Sequence, residues 1–142
     1  GLEATRWPSR FELIRENPPV ILDGAHNPSA AESLVKSLKE IYSDYEVGFV
    51  LGFMSDKDIG GILKPISRLA RQAWMVPLSG DRALDLDGLN LQAELAGLKA
   101  EAGSADQVLS KAVAWANDSE RRVICICGSL FWRNELDKLN FL

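Results

Sequence analysis

The sequence predicts an α/β domain: a three-layer sandwich in which a mostly parallel sheet carries helices on both faces and has one antiparallel edge strand. Three observations predict it. Short apolar runs such as Val20-Ile21-Leu22, Val47-Gly48-Phe49-Val50-Leu51 and Val123-Ile124-Cys125-Ile126-Cys127 have the composition of strands covered on both sides. Between them lie longer stretches whose apolar residues recur every three or four positions, the period of a helix with one buried face. The two patterns alternate along nearly the whole chain, the order that builds a parallel sheet through helical crossovers.

The elements follow in order. Residues 11–15 alternate enough to make a short, half-exposed strand. Asn17-Pro18-Pro19 breaks it with a tight connection, so the strand at 20–22 pairs with it antiparallel. Asn27 is placed as an N-cap and Pro28 at the first helical position, opening a helix that runs to about residue 43. Its apolar stripe is Ala31, Leu34, Val35, Leu38 and Ile41. A strand at 47–51 ends in the turn 52–56, and a helix from 56 or 57 to 71 follows. Pro65 inside that helix predicts a kink or two shorter helices. A strand at 73–76, a polar loop at 77–85 and a helix at 87–96 stopped by Gly97 come next. A short strand is expected at 98–100. Ser104 and Gln107 form a capping-box pattern at the head of a helix over 104–117. The most apolar strand, 123–127, turns at Gly128-Ser129 into a last helix over 131–139.

Length and composition fit one domain with a real core: 142 residues, 46% hydrophobic and 25% charged. The net charge of −4 leaves no basic footprint for nucleic acid. No apolar run approaches the roughly 20 residues that span a bilayer, and no signal-peptide pattern opens the chain. Cys125 and Cys127 stand two apart on one strand face. That spacing suits buried, reduced thiols and hence a cytoplasmic protein, not a redox or zinc motif. Gly1 to Arg6 shows no element of its own, as expected of the C-terminal piece of a longer chain.

The stretch most loaded with chemistry is the turn Asp23-Gly24-Ala25-His26-Asn27, which holds the chain's single histidine. It falls at a strand's carboxyl end, where open α/β sheets bind ligands. Any strand-to-helix turn also favours Asp, Gly and Asn for local backbone reasons. No G-x-x-x-x-G-K-[ST] loop occurs, and no G-x-G-x-x-G follows the first strand. A lone histidine gives no self-contained metal site.

Five segments taken in order resemble the C-terminal domain of folylpolyglutamate synthases and bifunctional dihydrofolate synthases, within the Mur ligase superfamily. They are Trp7-Pro8-Ser9-Arg10-Phe11-Glu12, Leu22-Asp23-Gly24-Ala25-His26-Asn27-Pro28, Met54-Ser55-Asp56-Lys57-Asp58, Arg82-Ala83-Leu84 and Gly128-Ser129-Leu130-Phe131. Ser9 stands where that family usually has glycine, and Phe131-Trp132-Arg133 departs from its usual ending. The resemblance implies a Rossmann-like build and an ATP-dependent ligase that joins L-glutamate to a folate or to dihydropteroate through an acyl phosphate. It also implies that ATP and Mg²⁺ are held mainly by a separate P-loop domain that precedes this one, and that residues 1–142 close over the nucleotide and supply part of the glutamate site.

Carried over residue by residue, the resemblance implies roles for six side chains. Arg10 would reach the ATP phosphates across the domain cleft, and Asp23 would accept from the ribose hydroxyls. His26, Asn27, Lys57 and Ser129 would hold the incoming glutamate, with His26 and Lys57 the two catalytic candidates. Five of the six have an ordinary alternative: a surface arginine for Arg10, a turn cap for Asp23, a structural histidine for His26, a solvated lysine for Lys57 and an N-cap serine for Ser129. Arg82 is a further, weaker candidate. Arg10, Asp23, His26, Lys57 and Ser129 are expected on one exposed rim. Two rival readings are another Mur-type ligase, of peptidoglycan or cyanophycin synthesis, and a stand-alone binding module of the same fold.

Overall fold

The computed structural model describes residues 10–142 of the 142-residue chain. The expectations for Gly1 to Arg6, and for Trp7, Pro8 and Ser9, lie outside the described residues. The element order is β1 (Glu12–Glu16), β2 (Pro19–Leu22), α1 (Pro28–Ile41), β3 (Glu46–Leu51), α2 (Ile59–Leu69), β4 (Ala70–Met75), α3 (Leu86–Leu95), β5 (Glu101–Ala102), α4 (Ala105–Asn117), β6 (Arg122–Cys127) and α5 (Trp132–Lys138). The sheet runs β1-β2-β6-β3-β4-β5. Only the β1–β2 pair is antiparallel among its pairings; β2–β6, β6–β3, β3–β4 and β4–β5 are parallel. This is the predicted three-layer α/β sandwich with one antiparallel edge strand.

Strand alternation divides the apolar residues between two cores. Ile21, Phe49, Leu51, Met75, Cys125 and Cys127 face one side, under α1, α2 and α3. Val20, Leu22, Val50, Trp74, Ile124 and Ile126 face the other, under α4 and α5. The two cysteines share a face, as their spacing requires, and both are free thiols in the interior. Burial, with the Cys127 thiol and the Asp23 carboxylate adding, pushes the Cys125 thiol well above its ordinary pKa, so it is protonated and inert.

Three elements differ from expectation. Helix α2 begins at Ile59, because Asp58 rather than an earlier residue caps it: its Oδ1 accepts from Gly61 N at 3.1 Å. It then continues through Pro65 as one helix and passes into β4 at Ala70 with no loop between. Strand β4 therefore starts three residues early, at Ala70; Ala70 pairs with Val47 and Gln72 with Gly48, with a register shift that leaves Arg71 between them, and the polar Arg71 and Gln72 hid the strand. The apolar run at 98–100 is not a strand. It finishes α3: Gly97 adopts φ +70°, Gly97 N donates to Glu94 O at 3.1 Å and Leu98 N to Ala93 O at 2.9 Å, so that Leu98 packs into the core as the apolar seal of a Schellman turn. The strand lies just beyond, at Glu101–Ala102.

Candidate functional site

Strand order creates the site. Strands β2 and β6 are neighbours, yet β2 feeds α1 on one face of the sheet and β6 feeds α5 on the other. The two turns diverge and leave a crevice at the carboxyl edge, the place where open α/β sheets take ligands. Backbone bonds hold the turns in register. Asp23 N donates to Ile126 O at 2.9 Å, Gly128 N to Ala25 O at 3.0 Å and Gly52 N to Cys127 O at 3.4 Å. The ends of β2, β6 and β3 are thereby stitched into one platform.

A cavity of about 540 Å³ opens there, with Arg10, Asp23, His26 and Asn27 in its walls. Four of the six candidate side chains are thus brought together. Lys57 and Ser129 are not in that lining. Ser129 lies two residues past β6, and Lys57 lies on the turn between β3 and α2; the first turn of α2 approaches α1, where Pro28 Cγ stands 2.6 Å from where a Cβ on Gly61 would sit.

The expectation that all five rim groups are exposed is corrected for two of them. Asp23 is 9% exposed and Ser129 4%. The reason is local hydrogen bonding. Asp23 Oδ2 accepts from Phe11 N and Oδ1 from Ala25 N, each at 2.8 Å, so the carboxylate clamps the start of β1 onto the turn after β2. Ser129 Oγ accepts from Phe131 N at 3.1 Å, shaping the approach to α5 without being its cap. Arg10 is exposed; His26 and Lys57 are half-exposed.

Each remaining group is oriented. His26 Nδ1 lies 2.8 Å from Gly24 O, and a carbonyl can only accept, so Nδ1 carries a proton and Nε2 is the ring atom available to a ligand. Asn27 caps α1, its Oδ1 accepting from Ala30 N at 2.8 Å; the amide nitrogen plays no part in that cap. Lys57 Nζ stands 3.9 Å from Asp56 in a partly exposed pair, weak enough to be exchanged for a ligand carboxylate. Among the described residues no group of three or more His, Cys, Asp or Glu side chains is placed to hold a metal ion.

Two features were missed from the sequence. Ser29, Ser33 and Ser37 line the same cavity, spaced four apart along one face of α1. The spacing was legible, but serines on a helix look like ordinary solvent-facing residues. Arg82 is tied to the Lys57 turn by backbone pairing, with Ser55 N donating to Arg82 O at 2.6 Å. No periodicity in sequence announces a contact between two turns.

Burial raises the Asp23 carboxyl above its ordinary 3.8, against the opposing pull of the Phe11 and Ala25 N–H groups and the Arg10 charge. The folded chain therefore holds this proton to higher pH than the unfolded chain does. Stability contributed by the group falls as pH rises from 3.8 through the raised value and is level above it. Urea midpoints across that window should fall with pH for the native chain relative to Asp23→Asn, which has no proton to lose. Parallel pH profiles for the two proteins would contradict the shift.

An open, doubly wound sheet with a polar cavity at its switch point defines an α/β ligand-binding domain, here with its candidate groups on one edge. The chain belongs to the Mur ligase, glutamate ligase domain family, whose model matches residues 9–130. It is 32% identical to the folylpolyglutamate synthase of Lacticaseibacillus casei over 132 residues, covering 92% of this chain and 29% of that protein. It also matches a Yersinia pestis bifunctional folylpolyglutamate synthase/dihydrofolate synthase crystallised with AMPPNP and Mn ion, with a TM-score of 0.80, 31% identity and coverage of 98% of this chain and 33% of that one. A structure of such a bifunctional synthase with Mn, AMPPNP and L-glutamate bound gives a TM-score of 0.83 at 31% identity, over 96% of this chain and 32% of that one. The chain thus spans about a third of the length of these proteins. Among the described residues no helix is long and apolar enough to cross a membrane.

Proposed function

We propose that this chain is the C-terminal domain of a cytoplasmic, ATP-dependent ligase that adds L-glutamate to a folate or to dihydropteroate, and that it works against a P-loop domain which binds ATP and Mg²⁺. The observation that carries the reading is the convergence of Arg10, Asp23, His26 and Asn27 on one open cavity at the strand switch point. The likeness to synthases with AMPPNP, Mn and L-glutamate bound supports the identity of the ligands.

The reaction needs positioning and charge stabilisation more than covalent help. The acceptor carboxylate displaces ADP from the γ-phosphorus. The glutamate amine then attacks the acyl carbon, loses a proton, and inorganic phosphate leaves. In this reading Arg10, exposed at the cavity mouth, reaches the phosphates. Asp23 holds the Arg10–Phe11 backbone and keeps acceptor capacity for ribose hydroxyls, since each carboxylate oxygen has a second lone pair. Lys57 attracts a glutamate carboxylate. Nε2 of His26 accepts a hydrogen bond when the ring is neutral and donates one when it is charged. Asn27 Nδ2 and the Ser129 turn complete the polar wall. In this reading the divalent ion is held by the P-loop domain.

The test uses the 142-residue chain and the complete ligase. The chain alone should hydrolyse no ATP above a buffer control. The complete ligase should join labelled L-glutamate to dihydropteroate or a reduced folate, and not to UDP-muramoyl substrates. Lys57→Ala should raise the glutamate KM about tenfold or more and leave the ATP KM nearly unchanged, as loss of one charge-assisted contact predicts. Turnover by the chain alone, or a change in ATP KM only, would end the reading.

A further inference from the structure

We propose that Arg133 is a positioning residue for Arg10, acting through an ion pair with Glu12 that pins the start of β1 to α5. The inference rests on the phosphate-binding role given to Arg10 above and extends it to what aims that side chain.

Arg10 stands two residues before β1, an edge strand of the sheet beside β2 with a register shift between Leu13 and Arg15. A segment at such an edge is poorly ordered unless it is tied down. This one is tied on both faces of the sheet. Phe11 packs against the core under α1, α2 and α3, and its N–H is held by Asp23 Oδ2 at 2.8 Å. Glu12 and Ile14 turn to the other face, where Ile14 packs against the second core and the Glu12 carboxylate pairs with the Arg133 guanidinium. A single bond to Phe11 N lets the segment pivot. A second tie one residue further on, from the opposite face, removes the pivot. Phe11 has φ +46°, a conformation that a bulky residue keeps only where its surroundings over-determine it.

Helix α5 is a firm base for the tie. Trp132, next to Arg133, is fully buried and donates from Nε1 to Cys127 O at 2.8 Å. Leu136 is fully buried one turn further on, and Glu135 Oε1 accepts from Ser79 N at 2.9 Å. The helix is thereby fixed to the end of β6, to the core and to the turn after β4. The Arg133 and Glu12 side chains are 36% and 32% exposed, and pairs so open to water add little stability. A guanidinium fixes the plane in which it meets a carboxylate, so the pair supplies direction. Arg133 falls in the stretch that departs from the family's usual ending, so the tie is not part of the shared pattern.

The test measures turnover of the complete ligase. Arg133→Met keeps the side chain long and removes its charge. It should lower kcat about tenfold, within the loss that a displacement of about 1 Å can cause, with the urea midpoint and the glutamate KM near their native values. Glu12→Gln should lower kcat by a similar factor, and the two substitutions together by no more than either alone. It reads the tie from the strand side and carries the test if α5 tolerates no change. Arg133→Lys, which keeps the charge, should recover part of the loss. In the Arg10→Ala background no guanidinium is left to aim, so there Arg133→Met should change kcat by less than about twofold. Amide exchange over residues 10–16 should quicken severalfold in Arg133→Met and stay native in β3. Native kcat in Arg133→Met, or an equal fall in both backgrounds, would overturn the assignment and leave the role of Arg10 standing. Native kcat in Arg10→Ala would end the role of Arg10 and this inference with it.

Discussion

Gly128→Ala is expected to destabilise the chain by about 2–6 kcal/mol, combining backbone strain of about 1–3 kcal/mol with overpacking of a similar size. Gly128 has φ +110°, where a residue with a Cβ is strained. Its Cβ would also stand 2.4 Å from Gly52 O and 2.8 Å from the Phe53 ring. Neither neighbour can retreat. Gly52 N is bonded to Cys127 O, and a Cβ on Gly52 would itself meet Val76 O at 2.9 Å, so the backbone there has no slack. Phe53 is fully buried. The energy falls on the platform that joins the turns after β2, β3 and β6, so Ser129, Ala25 and Phe53 should be displaced first. Gly60→Ala is the matched control. Its Cβ would meet nothing within 4 Å, and alanine in a helix is worth up to about 1 kcal/mol over glycine. Urea unfolding of the three proteins reads the difference directly. A Gly128→Ala chain with the native midpoint would mean that the turns are not packed as described.

How much of this was legible depends on whether a residue's role is set by its neighbours in sequence. The layers were legible because burial on both faces produces continuous apolar strands, as at Val47 and Val123, and burial on one face produces the α1 stripe. The antiparallel edge followed from the tight Asn17-Pro18-Pro19 connection. Strand β4 was misplaced because its first pairings are made by the backbones of Ala70 and Gln72, on either side of the unpaired Arg71, and backbone pairing carries no side-chain signature. Leu98 read as strand because apolar helix seals and apolar strands use the same residue types.

The site divides in the same way. Asp23, His26 and Asn27 were legible because one turn carries them all, and their local bonds to Ala25 N, Gly24 O and Ala30 N are short-range. The Asp23–Phe11 bond spans twelve positions, and it was invisible in sequence. It makes Asp23 a buried clamp between the start of β1 and the turn after β2. The pairing of the Lys57 and Arg82 turns is longer-range still, and the matching of both segments to one family gave no hint that they touch.

The largest loss of activity is expected from Arg10→Ala in the complete ligase: a fall in kcat of about 10²–10³-fold, the range for removing one preorganised group that stabilises transition-state charge. The structure separates what holds Arg10 from what Arg10 does. Phe11, next in the chain, has φ +46°, an outlier for a bulky residue. Its N–H is held by Asp23 Oδ2, and Glu12 is paired with Arg133 of α5. The backbone on the carboxyl side of Arg10 is therefore fixed to two other elements, while its side chain is exposed at the cavity and engaged in none of the salt bridges found among the described residues. An exposed arginine with no such role changes stability by no more than about 0.5 kcal/mol when truncated. Arg10→Ala should therefore move the urea midpoint only slightly, through the lost attraction of its charge for the Asp23 carboxylate, and act chiefly on turnover. Arg10→Lys should recover little, because an ammonium supplies the charge but not the planar pair of donors. Loss of stability with native turnover would make Arg10 a structural surface residue and move the phosphate contact elsewhere.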